Sequence, residues 1–222
     1  MGPQDRRLGS QMHTPLDIKI CGLTNLDDAK AAIDAGADLL GFVFYPKSPR
    51  YITALQTRSL LDRLPSSVRA VGVFVNGKPG GVHKIASDCG LYAVQLHGDE
   101  VPEPYADMLP RVWRAIHFSG GSYRPEPKSW LAARYVLDAA APGKYGGTGK
   151  TISWSAAARF ARKFPAMLAG GLTPDNVVQA IRTVRPLGVD VTSGVEASPG
   201  KKDHARLVQF ISRARNVYRT EE

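Results

Sequence analysis

Cysteine is scarce in this chain of 222 residues, which has only two thiols, Cys21 and Cys89. Two such distant cysteines make neither a disulfide framework nor a zinc site. There is no HExxH pattern and no cluster among the five histidines, so no metal ligand is assigned and no metal chemistry is expected. Long apolar runs are also missing. The longest, such as LLGFVF at 39–44, are strand-sized and far short of the ~20 residues a membrane-spanning helix needs. The opening stretch, MGPQDRRLGSQM, lacks the apolar centre of a secretory signal. A cytoplasmic location without a membrane partner is the expectation.

Acidic residues are in deficit: 29 Lys and Arg stand against 20 Asp and Glu, a formal net charge of +9. A basic balance raises the question of nucleic acid. The basic residues are scattered, however, with no run longer than two and no interleaved aromatics. A solvated basic surface is the preferred reading, and no nucleic-acid partner is expected. An anionic small substrate would suit the same field.

From residue 16 onward one pattern repeats: a short run rich in Val, Ile, Leu or Phe, then Gly, Ser or Thr, then a helical period. Strands are predicted at 16–20, 38–44, 69–75, 92–96, 112–116, 134–137, 166–169 and 189–191. Helices are predicted at 26–35, 55–64, 82–89, 155–163, 174–184 and 203–218. Residues 119–128 are rich in Gly and Pro and make a poor helix. Near-continuous apolar strands joined by crossover helices imply a parallel sheet covered on its outer face. Eight such units fit an α/β fold with a single (β/α)₈ TIM barrel whose fifth helix is weak or missing. An open doubly wound sheet is the alternative. The barrel domain is expected over 15–220, preceded by a polar, disordered extension at 1–14, with Met12 as an alternative start of translation.

In a barrel the reactive groups belong at the carboxyl ends of the strands, and there polar residues and glycines gather. The first strand ends in Cys21 and leads to Asn25, and the second leads to Arg50. The fourth carries Gln95 and His97, and the sixth closes on Asp138. The seventh and eighth give Gly170-Gly171 and Ser193-Gly194. Backbone N–H groups at such turns bind anions, and the loops after strands seven and eight are the usual phosphate site of barrels. Either loop alone reads equally well as a tight turn; two in adjacent units favour phosphate.

The segment GKYGGTGKT imitates a nucleotide-binding loop, but the required first glycine falls on Lys144 and no helix follows at once. A glycine-rich loop closing over the ligand is the better reading, and Gly147 and Gly149 are assigned to phosphate with it.

Alternation along the first strand turns Ile18 and Ile20 one way and Lys19 and Cys21 the other, into the barrel. An inward lysine needs a partner, and Asp190 on the closing strand has the matching parity, so a Lys19–Asp190 ion pair is predicted. Buried cysteine is usually inert filler, the reading given to Cys89; its strand-end position makes Cys21 a candidate base or nucleophile. Asp138 reads equally as a general acid or as a loop-ordering carboxylate. A lone loop arginine such as Arg50 is more often solvated, although its planar fork suits a carboxylate. Asn25, Gln95 and His97 are site-lining candidates, with a core hydrogen bond the commoner role for His97.

The ordered segments KICGLTN, GFVFYPKSPRYI, VGVFVN, VQLHGDE, VLDAAAPGKYGGTGKTISW, LAGGLTPDNV and GVDVTSGVEASPGKKD, spanning residues 19 to 203, closely resemble the phosphoribosylanthranilate isomerases of tryptophan biosynthesis. The resemblance implies a (β/α)₈ barrel that carries out the Amadori rearrangement of N-(5-phosphoribosyl)anthranilate to 1-(o-carboxyphenylamino)-1-deoxyribulose 5-phosphate, with no cofactor. It places the family's general base on Cys21, its general acid on Asp138, its carboxylate-binding arginine on Arg50, and its phosphate site on the glycine loops. The run NGKPGGVHKIAS departs from the family's acidic helix start, so the third helix is expected to begin late. Thr192 stands where serine is commoner. The main competing readings are the related aminoaldose isomerase of histidine synthesis, which carries an aspartate at the first strand end, and a phosphate-binding barrel without chemistry. Nucleotide- and nucleic-acid-binding proteins are weaker ones.

Overall fold

In the computed structural model, described over residues 16–108, 111–119, 122–138 and 153–217, eight parallel strands close into a barrel. They are β1 (Asp17–Ile20), β2 (Leu39–Val43), β3 (Arg69–Phe74), β4 (Ala93–Leu96), β5 (Val112–Ser119), β7 (Arg134–Asp138), β8 (Ala166–Leu168) and β9 (Gly188–Val191). The order runs β4-β3-β2-β1-β9-β8-β7-β5, and pairing of β4 with β5 shuts the ring. The expected barrel is therefore the observed one, and each strand lies within a residue or a few of its predicted place. The expected extension at 1–14 lies outside the described residues.

Strand alternation explains the two cores. Ile18, Ile20, Leu40, Phe42 and Val189 face outward onto the helices. Leu39, Val71, Ala93, Trp113, Val136 and Met167 face inward. At the amino ends of the strands the barrel is closed by charge and aromatic surface. Asp17 pairs with Arg69 at 2.9 Å and Arg134 at 2.6 Å, Asp38 pairs with Arg215, and the Arg134 guanidinium lies over the Trp113 ring.

The helices are α1 (Leu26–Asp34), α2 (Ala54–Leu61), α3 (Pro79–Asp88), α4 (Trp154–Ala161), α5 (Val177–Val184) and α6 (His204–Arg215). Three boundaries differ from expectation for identifiable reasons. Helix α3 starts early, not late, because Pro79 sits in its first turn with a backbone angle already suited to helix. Helix α2 is shorter at its end, where Arg63 and Leu64 turn to i−3 bonds ahead of Pro65, whose ring disfavours helix in the residue before it. Helix α5 begins at Val177 rather than 174, because residues 174–176 form a turn. The place of a fifth barrel helix is taken by the short antiparallel strand β6 (Ser122–Arg124) and a single 3₁₀ turn at Pro127–Ser129, in keeping with its Gly/Pro content. Among the described residues no helix is long and apolar enough to cross a membrane.

Candidate active site

Because all eight barrel strands are parallel, Cys21, Gln95, Asp138, Ala169 and Val191 emerge at one end of the barrel. A cavity of about 330 Å³ opens there, lined among others by Cys21, Arg50, Gln95, His97, Gly170, Gly171, Asp190, Ser193 and Gly194. Cys21 follows β1 directly, is buried, and is fixed by its amide, which donates to Val191 O at 2.9 Å.

The predicted ion pair is present. Lys19 Nζ donates to Asp190 Oδ2 at 2.9 Å, and the two residues are register partners on β1 and β9. Burial alone would lower the Lys19 pKa, but the Asp190 charge, together with Cys21, outweighs it and holds the ammonium above its ordinary value. Asp190 Oδ1 and Gln95 Oε1 are buried acceptors without a partner among the described residues, and both residues line the cavity. Buried acceptors of this kind mark where a ligand hydroxyl or ammonium proton can be received. Gln95 is also joined to His97 (Nε2 to Nδ1, 3.1 Å), whose ring meets His117 edge to face.

The glycine loops follow β8 and β9 at the same end of the barrel and also line the cavity. Gly170 and Gly171 take φ of +81° and +66°, a conformation natural only to glycine. The amides of Gly170, Gly171, Ser193 and Gly194 have no protein acceptor among the described residues, leaving donors for an anion. The Asn176 side chain, donating to Gly171 O at 2.9 Å and accepting from Thr173 N at 2.8 Å, ties this loop to the start of α5.

Arg50, in the loop after β2, is not merely solvated. Its Nε donates to Glu196 Oε1 at 2.9 Å and its Nη2 to Oε2 at 2.7 Å. Glu196 opens the small strand β10 (Glu196–Ser198), which pairs antiparallel with β11 (Lys201–Lys202). Burial pushes the Glu196 carboxyl up, but the Arg50 hydrogen bonds and the Lys202 charge prevail and hold it below the usual carboxylate range. Lys202 is fully buried, and that burial lowers its pKa against the opposing charges of Glu196 and Cys21.

Asn25 is placed elsewhere. Its side chain caps α1, accepting from Asp28 N at 2.9 Å and donating to Asp28 Oδ2 at 2.8 Å, and it is not among the cavity's lining residues. Asp138 ends β7 as the register partner of His117; its side chain, and all of Gly147 and Gly149, lie outside the described residues. Sequence reasoning missed Glu196 and Lys202 as site-supporting groups, although Ser198-Pro199-Gly200 between them carries the signature of a turn that brings them together. Among the described residues no cluster of His, Cys, Asp and Glu could hold a metal.

Comparison with known proteins agrees with this architecture. The family profile of N-(5'-phosphoribosyl)anthranilate isomerase matches residues 18–213. The isomerase of that name from Pelobacter propionicus is 46% identical over 202 residues, covering 91% of this chain and 97% of the relative. That from Geobacter sulfurreducens is 47% identical over 198 residues, covering 89% and 98%. The crystal structure of phosphoribosyl anthranilate isomerase from Thermotoga maritima superposes with a TM-score of 0.80 at 42% identity, covering 90% of this chain and 99% of that one. Another crystal structure of a phosphoribosyl anthranilate isomerase, in complex with reduced 1-(o-carboxyphenylamino)-1-deoxyribulose 5-phosphate, has a TM-score of 0.77 at 39% identity, with the same coverage. By sequence, by fold and by the cavity at its strand ends, the chain belongs to the N-(5'-phosphoribosyl)anthranilate isomerase family.

Proposed function

We propose that this isomerase rearranges N-(5-phosphoribosyl)anthranilate by proton exchange between Asp138 and Cys21, with the substrate held at both ends. The phosphate rests on the amides of the loops after β8 and β9, and the anthranilate carboxylate on Arg50. Asp138 gives a proton to the furanose oxygen, and the ring C1–O bond breaks to leave an iminium. Cys21 as thiolate then takes the C2 proton, and its electron pair neutralises the iminium to an enolamine. Tautomerisation of the enolamine yields the ketone. The substrate nitrogen is the electron sink, so the reading requires no cofactor and includes a cytoplasmic location. Each placed acid or base contributes ~10²–10⁴-fold.

The observation that carries this reading is one cavity lined by a buried thiol just beyond β1 and by loop amides that have no acceptor among the described residues. The Lys202 ammonium donates to the Cys21 carbonyl at 2.6 Å, and Lys19, paired with Asp190, lies two residues before Cys21 on the same face of the strand. Support for Asp138 is its place at the end of β7, on the same face of the barrel and level with His117. The test is turnover against binding. Cys21→Ser and Asp138→Asn are each expected to abolish most turnover while keeping affinity for a phosphorylated product analogue. Near-parental turnover in either variant removes that residue from the mechanism.

A further inference from the structure

The hairpin carrying Glu196 and Lys202 lies outside the acid–base scheme, yet it touches both of that scheme's anchoring points. A guanidinium offers two edges to a carboxylate, one through Nε and Nη2 and one through both terminal nitrogens. Glu196 occupies the first, with Nε to Oε1 at 2.9 Å and Nη2 to Oε2 at 2.7 Å. The second edge has no acceptor among the described residues, and Arg50 lines the cavity. Glu196 thus decides which side of Arg50 is offered to a ligand.

Lys202 makes the other connection. Its ammonium has three protons and three acceptors: Cys21 O at 2.6 Å, Glu196 Oε1 at 3.1 Å and Thr192 O at 3.3 Å. Cys21 and Thr192 are the residues just beyond β1 and β9, so one buried charge joins two neighbouring strand ends. The hairpin is itself held from behind. The Lys202 amide donates to Asp28 Oδ2 at 2.8 Å, and the Thr24 hydroxyl donates to Gly200 O at 2.6 Å. Burying a lysine and a glutamate is costly, and apolar residues of similar size would stabilise a barrel as well or better. What the pair supplies is geometry.

We propose that Glu196 and Lys202 act as a positioning clamp, turning one edge of Arg50 toward the substrate carboxylate and fixing the backbone of Cys21 at the matching distance. The clamp rests on the reading of Arg50 and Cys21 given above. Neither residue touches the reacting atoms; both act through groups that do.

Steady-state kinetics with competition by inorganic phosphate tests it. Glutamine offers a single acceptor and sets an amide N–H against the arginine, so Glu196→Gln is expected to raise KM by about tenfold with kcat close to the parent's. Lys202→Met, which frees the Cys21 carbonyl, is expected to lower kcat by more than it raises KM. Lys202→Met also frees Thr192 O beside the phosphate loop, so urea unfolding reports its folded barrel and phosphate serves as the control for Glu196→Gln. There the inhibition constant of inorganic phosphate stays at the parental value, because the Glu196 carboxylate bonds Arg50, Lys202 and the Gly200 amide rather than the loop amides. Loss of phosphate inhibition in step with KM means a general structural role and overturns the clamp. So does a parental KM in Glu196→Gln when Arg50→Ala raises KM, or a Lys202→Met variant that changes KM alone. An unchanged KM in Arg50→Ala instead sinks the carboxylate reading, and the clamp with it.

Discussion

Gly41 on β2 faces Cys21 so closely that a Cβ placed on it would stand 2.7 Å from the sulfur and 2.9 Å from the Cys21 Cα. The missing side chain is what makes room for the thiol. Gly41 also accepts the amides of Gly22 and Leu23 at 3.0 and 3.1 Å, so the turn after β1 is built against it. Gly41→Ala is expected to push the thiol aside and to lower kcat by roughly 10²-fold, the cost of a misplacement near 1 Å. Overpacking adds about 1–3 kcal/mol of lost stability. Turnover measured beside urea unfolding checks both, and a variant with parental kcat would show that the thiol's placement is not limiting.

The pair formed by Lys19 and Asp190 makes a stability prediction. Removing one partner of a buried pair leaves an uncompensated charge, so Lys19→Met is expected to cost about 3–5 kcal/mol, whereas replacing both partners by apolar residues is close to neutral. Urea unfolding of Lys19→Met and of Lys19→Met/Asp190→Leu decides. The double variant is expected to recover most of the loss, and if both unfold alike the deficit comes from packing rather than charge.

Glu196 makes a prediction about acid. Its folded pKa lies below the ordinary value of 4.5, so the folded state binds fewer protons there than the unfolded chain. The contribution is therefore complete above that value and is lost as pH falls through the lower, folded one. Glu196→Gln is expected to flatten the decline of stability below pH 4.5 while lowering stability at neutral pH. Equal slopes for the two proteins, measured by denaturation across pH 2–6, would remove Glu196 as a source of acid sensitivity.

The strands were legible as short apolar runs set off by Gly, Ser or Thr, and the ion pair by the alternation of side chains along them. Once Ile18 and Ile20 belong outside, Lys19 and Cys21 must lie inside, and Asp190 follows by parity on the closing strand. The glycine loops point to phosphate only as a pair, since either one alone reads equally well as a tight turn. The grip of Glu196 on Arg50 was not, because 146 residues separate them and no local pattern encodes a contact at that range. Gly41 was read only as part of an apolar run, for a glycine's close neighbour cannot be inferred from the glycine. Asn25 was drawn toward the site by its place in KICGLTN, whereas its amide is spent on capping α1. An Asn immediately ahead of a helical period is the more ordinary sign of a cap.

The phosphate site makes the last prediction, and it rests on Gly194. A Cβ there would stand 1.8 Å from Leu172 O and 2.9 Å from the Leu172 carbonyl carbon, so it would meet backbone, which cannot swing aside. The loops after β8 and β9 therefore touch only because Gly194 is bare, and their contact brings the Gly171 and Gly194 amides to one wall of the cavity. Gly194→Ala is expected to force the two loops apart. Hydrogen bonds to a charged group contribute about 1.5–3 kcal/mol each, so weakening even one of them lowers affinity for the phosphorylated substrate and for inorganic phosphate by about tenfold or more. The loss is expected in KM and in the phosphate inhibition constant together, with a smaller effect on kcat, since in the proposed reading these amides hold the phosphate and not the reacting carbons. Unaltered phosphate inhibition in a folded Gly194→Ala variant would move the phosphate away from these loops and leave the paired glycines as turns alone.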